Sequence, residues 1–302
     1  MENNKVLILA NNVGRYISNS DTKITELYNK AVSTKFERVL RKVSLKYNMP
    51  GWKKWFGKWI YRLDTIDTLV LFDTGNAAYI CELIKKEYPK LRIILWYWNA
   101  VSKSIPVESI NREHCEIWSY RLEDCQKYNL KYNTQFYIES ISTDCNSNRV
   151  EQDIYFAGAD KNRSDILYEL AKKFDDCKLS YKYILTKAKN SEEKNIPYSN
   201  PISQSENRNN MSTSKAILDI VEEKQFSGFT LRPFEAIALK KKLLTNDPNI
   251  KKLKFYSKNN IFIINEDSFG ELREFINSDF DDSCNEALKY YEFNNWVERF
   301  RE

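Results

Sequence analysis

Several short segments of this chain carry residue types suited to holding a phosphate or a hydroxyl. Gly158-Ala159-Asp160-Lys161-Asn162-Arg163 places a small residue beside two cations. Gly158 would let backbone approach a ligand, and Lys161 and Arg163 would donate to an anion; the bland alternative is a solvated turn. Ser227-Gly228-Phe229-Thr230-Leu231-Arg232-Pro233-Phe234-Glu235 reads as a helix start, with Thr230 as N-cap and Pro233 tolerated in the first turn. Amides near Gly228, beside Arg232, would suit an anion. Glu235 would accept hydrogen bonds from paired hydroxyls or simply complement the helix dipole. Asp73-Thr74-Gly75-Asn76 offers a carboxylate that deprotonates a hydroxyl or caps the next helix. Asn11-Asn12-Val13-Gly14-Arg15 lacks a G-x-G-x-x-G fingerprint and reads as an acceptor-side loop, with Asn11, Asn12 and Asn76 lining it.

The elements that position these segments follow from hydrophobic period. Val6–Ala10, Thr68–Phe72 and Arg92–Trp98 are near-continuous apolar runs, and Glu116–Tyr120 and Thr134–Tyr137 read as further short strands. A helix carrying Ala77, Ile80, Cys81, Ile84 and Tyr88 on one face lies between two of them, and a long charged stretch, Thr22 to Tyr47, reads as helical. Such alternation indicates a parallel sheet covered on both faces. The rhythm restarts at Ile154–Gly158, with helices near Ser164–Phe174 and Ser214–Ile220, a strand at Tyr181–Leu185, a helix-strand pair at Pro233–Leu244 and a strand at Asn260–Ile264. Lys187–Ser212 reads as a surface loop. The expected architecture is α/β, with two doubly wound Rossmann-like domains. One spans 1–145 and the other 146–283, and a C-terminal helix, 284–302, crosses back toward the first. In such sheets ligands bind at the carboxyl ends of strands where strand order reverses, which is where these segments fall.

Composition excludes several classes. The 302 residues are 42% hydrophobic and 14% aromatic, too apolar for a disordered chain. Seven glycines and one histidine, His114, argue against a glycine-rich phosphate loop or a histidine metal site. Six cysteines without a C-x-x-C pair read as reduced thiols, so the expected location is the cytoplasm, peripheral at the inner face of the membrane. The net charge of +5 is uneven: residues 1–62 hold 13 Lys/Arg against 4 Asp/Glu, while residues 266–302 hold 4 against 11. A basic end suits nucleic acid, an anionic membrane or a phosphorylated substrate, or it packs on the acidic end. Within it, Trp52, Trp55, Phe56, Trp59, Ile60 and Leu63 fall on one face of a helical wheel, opposite Lys53, Lys54, Lys58 and Arg62. That pattern fits a helix lying in an anionic membrane surface, or one covering a sheet.

Gly228-Phe229-Thr230-Leu231-Arg232-Pro233-Phe234-Glu235-Ala236, followed by Lys240-Lys241-Lys242-Leu243-Leu244-Thr245-Asn246, resembles the donor-binding segment of GT-B glycosyltransferases. Tyr155–Arg163 resembles the phosphate-contacting start of their C-terminal domain. Ile94–Asn99 and Trp118–Tyr137 resemble bacterial enzymes of capsule, exopolysaccharide and lipopolysaccharide biosynthesis. The resemblance implies that Glu235 binds a nucleotide ribose and that Arg232, Lys161 and Arg163 bind the diphosphate. Thr230 and the amides near Gly228 would hold the distal phosphate or the sugar. Ala238-Leu239-Lys240 stands where the family has glycine, and Gly228 where it has a second glutamate, which leaves retention or inversion of stereochemistry open.

The expected activity is a hexosyltransferase-type glycosyltransferase. It would move a sugar from a nucleotide-diphosphate donor, UDP-sugar first, to a glycan or lipid-linked oligosaccharide acceptor of the cell surface. Asp73 would be the catalytic base if the enzyme inverts. No cofactor or metal is expected, because arginine and lysine would stabilise the leaving group. Asp279-Phe280-Asp281 is nominally a D-x-D metal motif but lies in an acidic tail. Membrane contact would fall on Trp52, Lys53, Lys54, Trp55, Lys58 and Trp59, and no nucleic-acid partner is expected. The alternatives are a nucleic-acid-binding protein using the basic aromatic N-terminal region, which lacks an RNA-binding motif, and a non-catalytic subunit supporting a partner transferase.

Overall fold

A computed structural model describes residues 5–11, 24–29, 34–138, 149–188, 195–221 and 229–301. The chain forms two compact units, one of Met1–Thr134 with Val297–Glu302 and one of Gln135–Trp296. The boundary expected near residue 145 falls within 139–148, outside the described residues.

The first unit is built on a parallel six-stranded sheet of β1 (Val6–Ala10), β2 (Ile24–Glu26), β3 (Thr68–Phe72), β4 (Arg92–Tyr97), β5 (Glu116–Ser119) and β6 (Lys131–Tyr132), in the order β2-β1-β3-β4-β5-β6. The central strands are buried on both faces, which is why their sequences do not alternate. One face meets α2 (Ala77–Glu87) through Ile80, Cys81 and Ile84. On this unit the C-terminal residues also bury Phe300, whose ring meets Trp96 at 5.9 Å and Trp118 at 5.1 Å between centroids. Arg299 donates to Asn133 Oδ1 and Thr134 Oγ1, and Arg92 donates to the carbonyl of Phe300. The single helix expected over 284–302 is two short ones, Asn285–Lys289 and Phe293–Glu298, and Val297–Glu302 falls in the first unit.

Arg92 also makes a two-pronged contact with Glu116 at 2.7 and 2.9 Å. Burial alone would raise the Glu116 carboxyl, but hydrogen bonds from Arg92, Lys131 and Trp118 outweigh it and hold the group at about 2. A carboxyl depressed on folding contributes stability above its unfolded value, and that stability fades as pH falls toward the folded one. Glu116→Gln is therefore expected to remove about 1–3 kcal/mol of stability at neutral pH, and to flatten the loss of stability between its ordinary value near 4.5 and about 2. Urea titrations across that range check it, and an unchanged acid slope would refute it.

The second unit carries a parallel five-stranded sheet of β7 (Gln152–Ala159), β8 (Tyr181–Thr186), β9 (Ser214–Asp219), β10 (Lys242–Thr245) and β11 (Ile261–Ile263), in the order β11-β10-β9-β7-β8. Its helices include α4 (Ser164–Asp176), α5 (Gln204–Ser212) and α6 (Arg232–Ala238), while α3 is Leu122–Tyr128 in the first unit. Both sheets share one logic: the first strand of each unit is flanked by its second strand on one side and its third on the other.

Five elements differ from the sequence expectation. Thr22–Tyr47 is not one helix: Ile24–Glu26 pairs with β1, and α1 occupies only Lys35–Lys46. Ser214–Ile220 is the strand β9 rather than a helix, because a short apolar run carries no period and here lies between β7 and β10. The expected loop Lys187–Ser212 ends in α5, and Thr134–Tyr137 makes only an isolated bridge from Tyr137 to Glu292. Finally, Trp52–Leu63 is three short 3-10 turns instead of an amphipathic helix. Trp52, Trp55 and Trp59 are only 8, 7 and 6% exposed. Phe56 lies edge-on to Trp52 and Trp59, and Trp59 Nε1 donates to the Leu27 carbonyl at 3.0 Å. Lys53 pairs with Glu87, and Lys54 sits over the Trp55 ring. The membrane contact expected of these three rings is corrected accordingly, since they are core. Among the described residues, no helix is long and apolar enough to cross a membrane.

Candidate donor and acceptor sites

In a doubly wound sheet the crevice opens where the chain leaves its first strand in both directions, at the carboxyl ends of the strands flanking that reversal. In the second unit the reversal lies between β7 and β9. There β7 ends in Gly158-Ala159 and β9 ends in Asp219, and the segment leading into α6 meets them.

Arg232 organises this end. Its guanidinium bonds Asp219 Oδ1 at 2.8 Å, donates to the Ala157 carbonyl and lies over the Phe156 ring. Thr230 Oγ1 lies 3.2 and 3.3 Å from the Asp219 oxygens and accepts the Arg232 N–H. The structure thus gives Leu231, not Thr230, the N-cap position, with Pro233 in the first turn as expected. Arg163 Nη1 donates to the Ala159 carbonyl. A Cβ on Gly158 would lie 3.2 Å from Arg163 Nη1 and 3.6 Å from Arg232 Nη2. Glycine at this position therefore leaves room for the close approach of Arg163, while Arg232 would stay in ordinary contact.

Glu235 is half-buried in the first turns of α6. Burial pushes its carboxyl up, Arg232 and Arg208 pull it back, and Asp219 adds to the rise. Lys161 is exposed in the turn between β7 and α4, where Lys161 and Asn162 both take positive φ, 41° and 63°. Two successive non-glycine residues in that region cost about 1 kcal/mol or more each, a strain that gathers at functional loops. Asp160 supports the turn: its Oδ1 accepts the Arg163 and Ser164 amides, and its Oδ2 accepts the Tyr198 hydroxyl. Gly228 lies outside the described residues.

Sequence reasoning missed Asp219 and Arg208. Asp219 was hidden by reading Ser214–Ile220 as a helix, although a carboxylate ending an apolar run is the signal of a strand end. Arg208 sat in the presumed loop. Asn246 and Asp247 were also unassigned. Asn246 exchanges hydrogen bonds with Val221, tying the end of β10 to that of β9.

In the first unit the reversal lies between β1 and β3, and Asn11 Nδ2 donates to Thr74 Oγ1 across it at 3.3 Å. Asn76 is buried and donates to the Tyr28 hydroxyl. Asn12 lies outside the described residues. Asp73 caps no helix: its Oδ1 accepts the Trp98 amide at 2.9 Å and its Oδ2 the Asn99 amide group at 3.4 Å. Burial raises its carboxyl, and hydrogen bonds from Ser104, Trp98 and Asn99 oppose the rise. This carboxylate ties the end of β3 to the loop leaving β4. An open hollow of about 630 Å³ lies elsewhere in this unit, lined by Val107, Arg112 and Tyr128 among others. Its Arg112 donates to the carbonyls of Tyr128 and Asn129.

Among the described residues no three His, Cys, Asp or Glu side chains gather as a metal site. In the Asp279-x-Asp281 segment, Asp281 accepts the Ser283 amide and the Ser257 hydroxyl, which hold its carboxyl at about 2. The Asp279 carbonyl accepts from Lys242, a lysine only 3% exposed.

No protein-family model matches the chain, and no curated protein matches it. Solved structures do. AviGT4, a glycosyltransferase involved in avilamycin A biosynthesis, is 9% identical over 98% of this chain and 96% of its own, with a TM-score of 0.53. A putative UDP-N-acetylglucosamine 2-epimerase from Listeria monocytogenes is 9% identical over 93% and 82%, with a TM-score of 0.47. MurG of Acinetobacter baumannii is 9% identical over 98% and 90%, with a TM-score of 0.41. At these identities a likeness speaks for fold alone, and the AviGT4 match carries it.

Proposed function

The fold being two doubly wound Rossmann-like units of the GT-B-like class, we propose that the chain is a glycosyltransferase. It would move a sugar from a nucleotide-diphosphate donor to a glycan acceptor of the bacterial surface, lipid-linked and without a metal ion. One observation carries the reading: Arg232, Arg163 and Gly158 converge at the β7/β9 reversal, with Glu235 one helical turn away. Arginine at a strand end is suited to a diphosphate, because its planar fork matches two phosphate oxygens. Glu235 would take the ribose hydroxyls, Lys161 would join the two arginines on the diphosphate, and Thr230 would hold the distal phosphate or the sugar. Charge developing on the leaving nucleotide would meet guanidinium groups already in place. Asp73 would receive the acceptor proton if the transfer inverts, and its raised carboxyl favours that role. The competing nucleic-acid reading is weakened by burial of Trp52, Trp55 and Trp59, whose rings have no face for a base.

The test is a thermal-shift screen against nucleotides and nucleotide sugars in the presence of EDTA. A ligand at about 100 times its Kd adds close to 2.7 kcal/mol to the folded state. The expected result is stabilisation by a uridine diphosphate compound. Glu235→Ala should lose it while melting like the parent without ligand. Stabilisation that requires Mn²⁺ or Mg²⁺, or that survives in Glu235→Ala, would refute the assigned site.

A further inference from the structure

Helix α1, Lys35–Lys46, buries Arg41, Ser44 and Leu45, with Glu37 half-buried beside them, and Arg41 stacks on the Tyr28 ring at 3.5 Å. Three of its apolar residues face outward: Phe36 is 71% exposed, Val39 61% and Leu40 42%, and just past the helix Tyr47 is 64% exposed. At 100° per residue these positions and Val43 form one stripe about 100° wide. Lys35, Arg38, Lys42 and Lys46 fall beside that stripe on its other flank, all of them exposed. A capping box, in which Thr34 and Glu37 bond each other's backbone amides, fixes the helix start and occupies its single acid. Six of the ten large exposed apolar side chains among the described residues lie between Phe36 and Tyr61.

Water contact along such a stripe is costly, and a monomeric surface rarely leaves one uncovered. We infer that the outer face of α1 docks on an anionic lipid surface, with Phe36, Val39, Leu40, Val43 and Tyr47 entering the headgroup boundary and Lys35, Arg38, Lys42 and Lys46 meeting lipid phosphates. Charge decides the occupant. A second copy seated antiparallel on this face, about a two-fold axis perpendicular to the helix, would bring the same four cations together. A lipid surface instead offers apolar depth beside negative charge, the arrangement an interfacial helix uses. α1 belongs to the first unit and the donor residues to the second, and the two share no residue, so a failed nucleotide screen leaves this inference untouched, and a failed vesicle assay leaves nucleotide binding untouched.

The experiment is co-sedimentation of the full chain with phosphatidylcholine vesicles, with and without phosphatidylglycerol, at low and high salt. Binding is expected only with phosphatidylglycerol and is expected to weaken with salt. Phe36→Gln, Val39→Gln and Leu40→Gln together should cost at least about tenfold in partitioning, since each removes exposed apolar surface and leaves the core intact. Lys35→Gln, Arg38→Gln, Lys42→Gln and Lys46→Gln together should cost at least as much and abolish the anionic preference. Circular dichroism and melting should match the parent in both. Absence of binding at low salt would overturn the inference, as would unchanged binding in either variant. A dimer in sedimentation velocity that dissolves in the apolar variant would assign the face to a second copy, and tight oligonucleotide binding lost in the charge variant would assign it to nucleic acid.

Discussion

Arg232→Met is expected to cost about 2–3 kcal/mol of stability and to abolish nucleotide binding. Asp219 is 2% exposed and its carboxylate relies on Arg232 and Thr230. Removing one partner of a buried pair leaves an unpaired charge, which costs about 3–5 kcal/mol when both are fully enclosed. Arg232 retains 21% exposure, so the expected loss is scaled down. The carbonyl of Ala157 loses a donor in the same change. Combining Arg232→Met with Asp219→Asn should recover part of the stability, because the stranded charge is gone, but none of the binding. Arg232→Lys separates the two effects. A point charge satisfies Asp219 without the fork, so the protein should melt within a few degrees of the parent and still bind nucleotide poorly. Urea unfolding of the four proteins and thermal shifts with nucleotide check these expectations. Full nucleotide affinity in Arg232→Lys would remove the guanidinium from the donor site.

Replacing Trp52, Trp55 and Trp59 together by Ser is expected to abolish cooperative folding of the first unit. Each ring is more than nine-tenths buried, packed with Phe56 among Leu27, Leu45, Ile60 and Leu63. Truncating one buried aromatic side chain costs about 3–5 kcal/mol, and the stability of a whole domain is about 5–15 kcal/mol. Three such losses reach that total. The single change Trp59→Phe should cost on the order of 1 kcal/mol, chiefly the hydrogen bond to the Leu27 carbonyl. Near-ultraviolet circular dichroism and a melting curve decide the matter. A triple variant that melts like the parent would return these rings to the surface.

Residues within a few positions of one another determined much of this protein. Near-continuous apolar runs at Val6–Ala10, Thr68–Phe72, Arg92–Trp98 and Ile154–Gly158 marked strands covered on both faces, and the helices between them implied a doubly wound topology. Once the topology was legible, the strand-end rule pointed to Gly158, Arg163 and Asp73, and the resemblance to Arg232 and Glu235. The structure places Gly158, Arg163, Asp73 and Arg232 at or beside strand ends, and Glu235 within the first turns of α6. Tertiary structure decided the rest. Period reports that a segment has one apolar face, and it is silent on what that face meets. At Trp52–Leu63 the wheel fitted a helix in a membrane surface or one covering a sheet, and packing with Phe56 and Leu27 makes the rings core. At α1, read only as part of a long charged helical stretch, Arg41 turns inward to Tyr28 and an apolar stripe faces out. Asp219 became a site residue only when β9 was inserted between β7 and β10, because burial on both faces erases the alternation that would have marked it as a strand. Local spacing sets which faces exist, and long-range packing assigns each its partner.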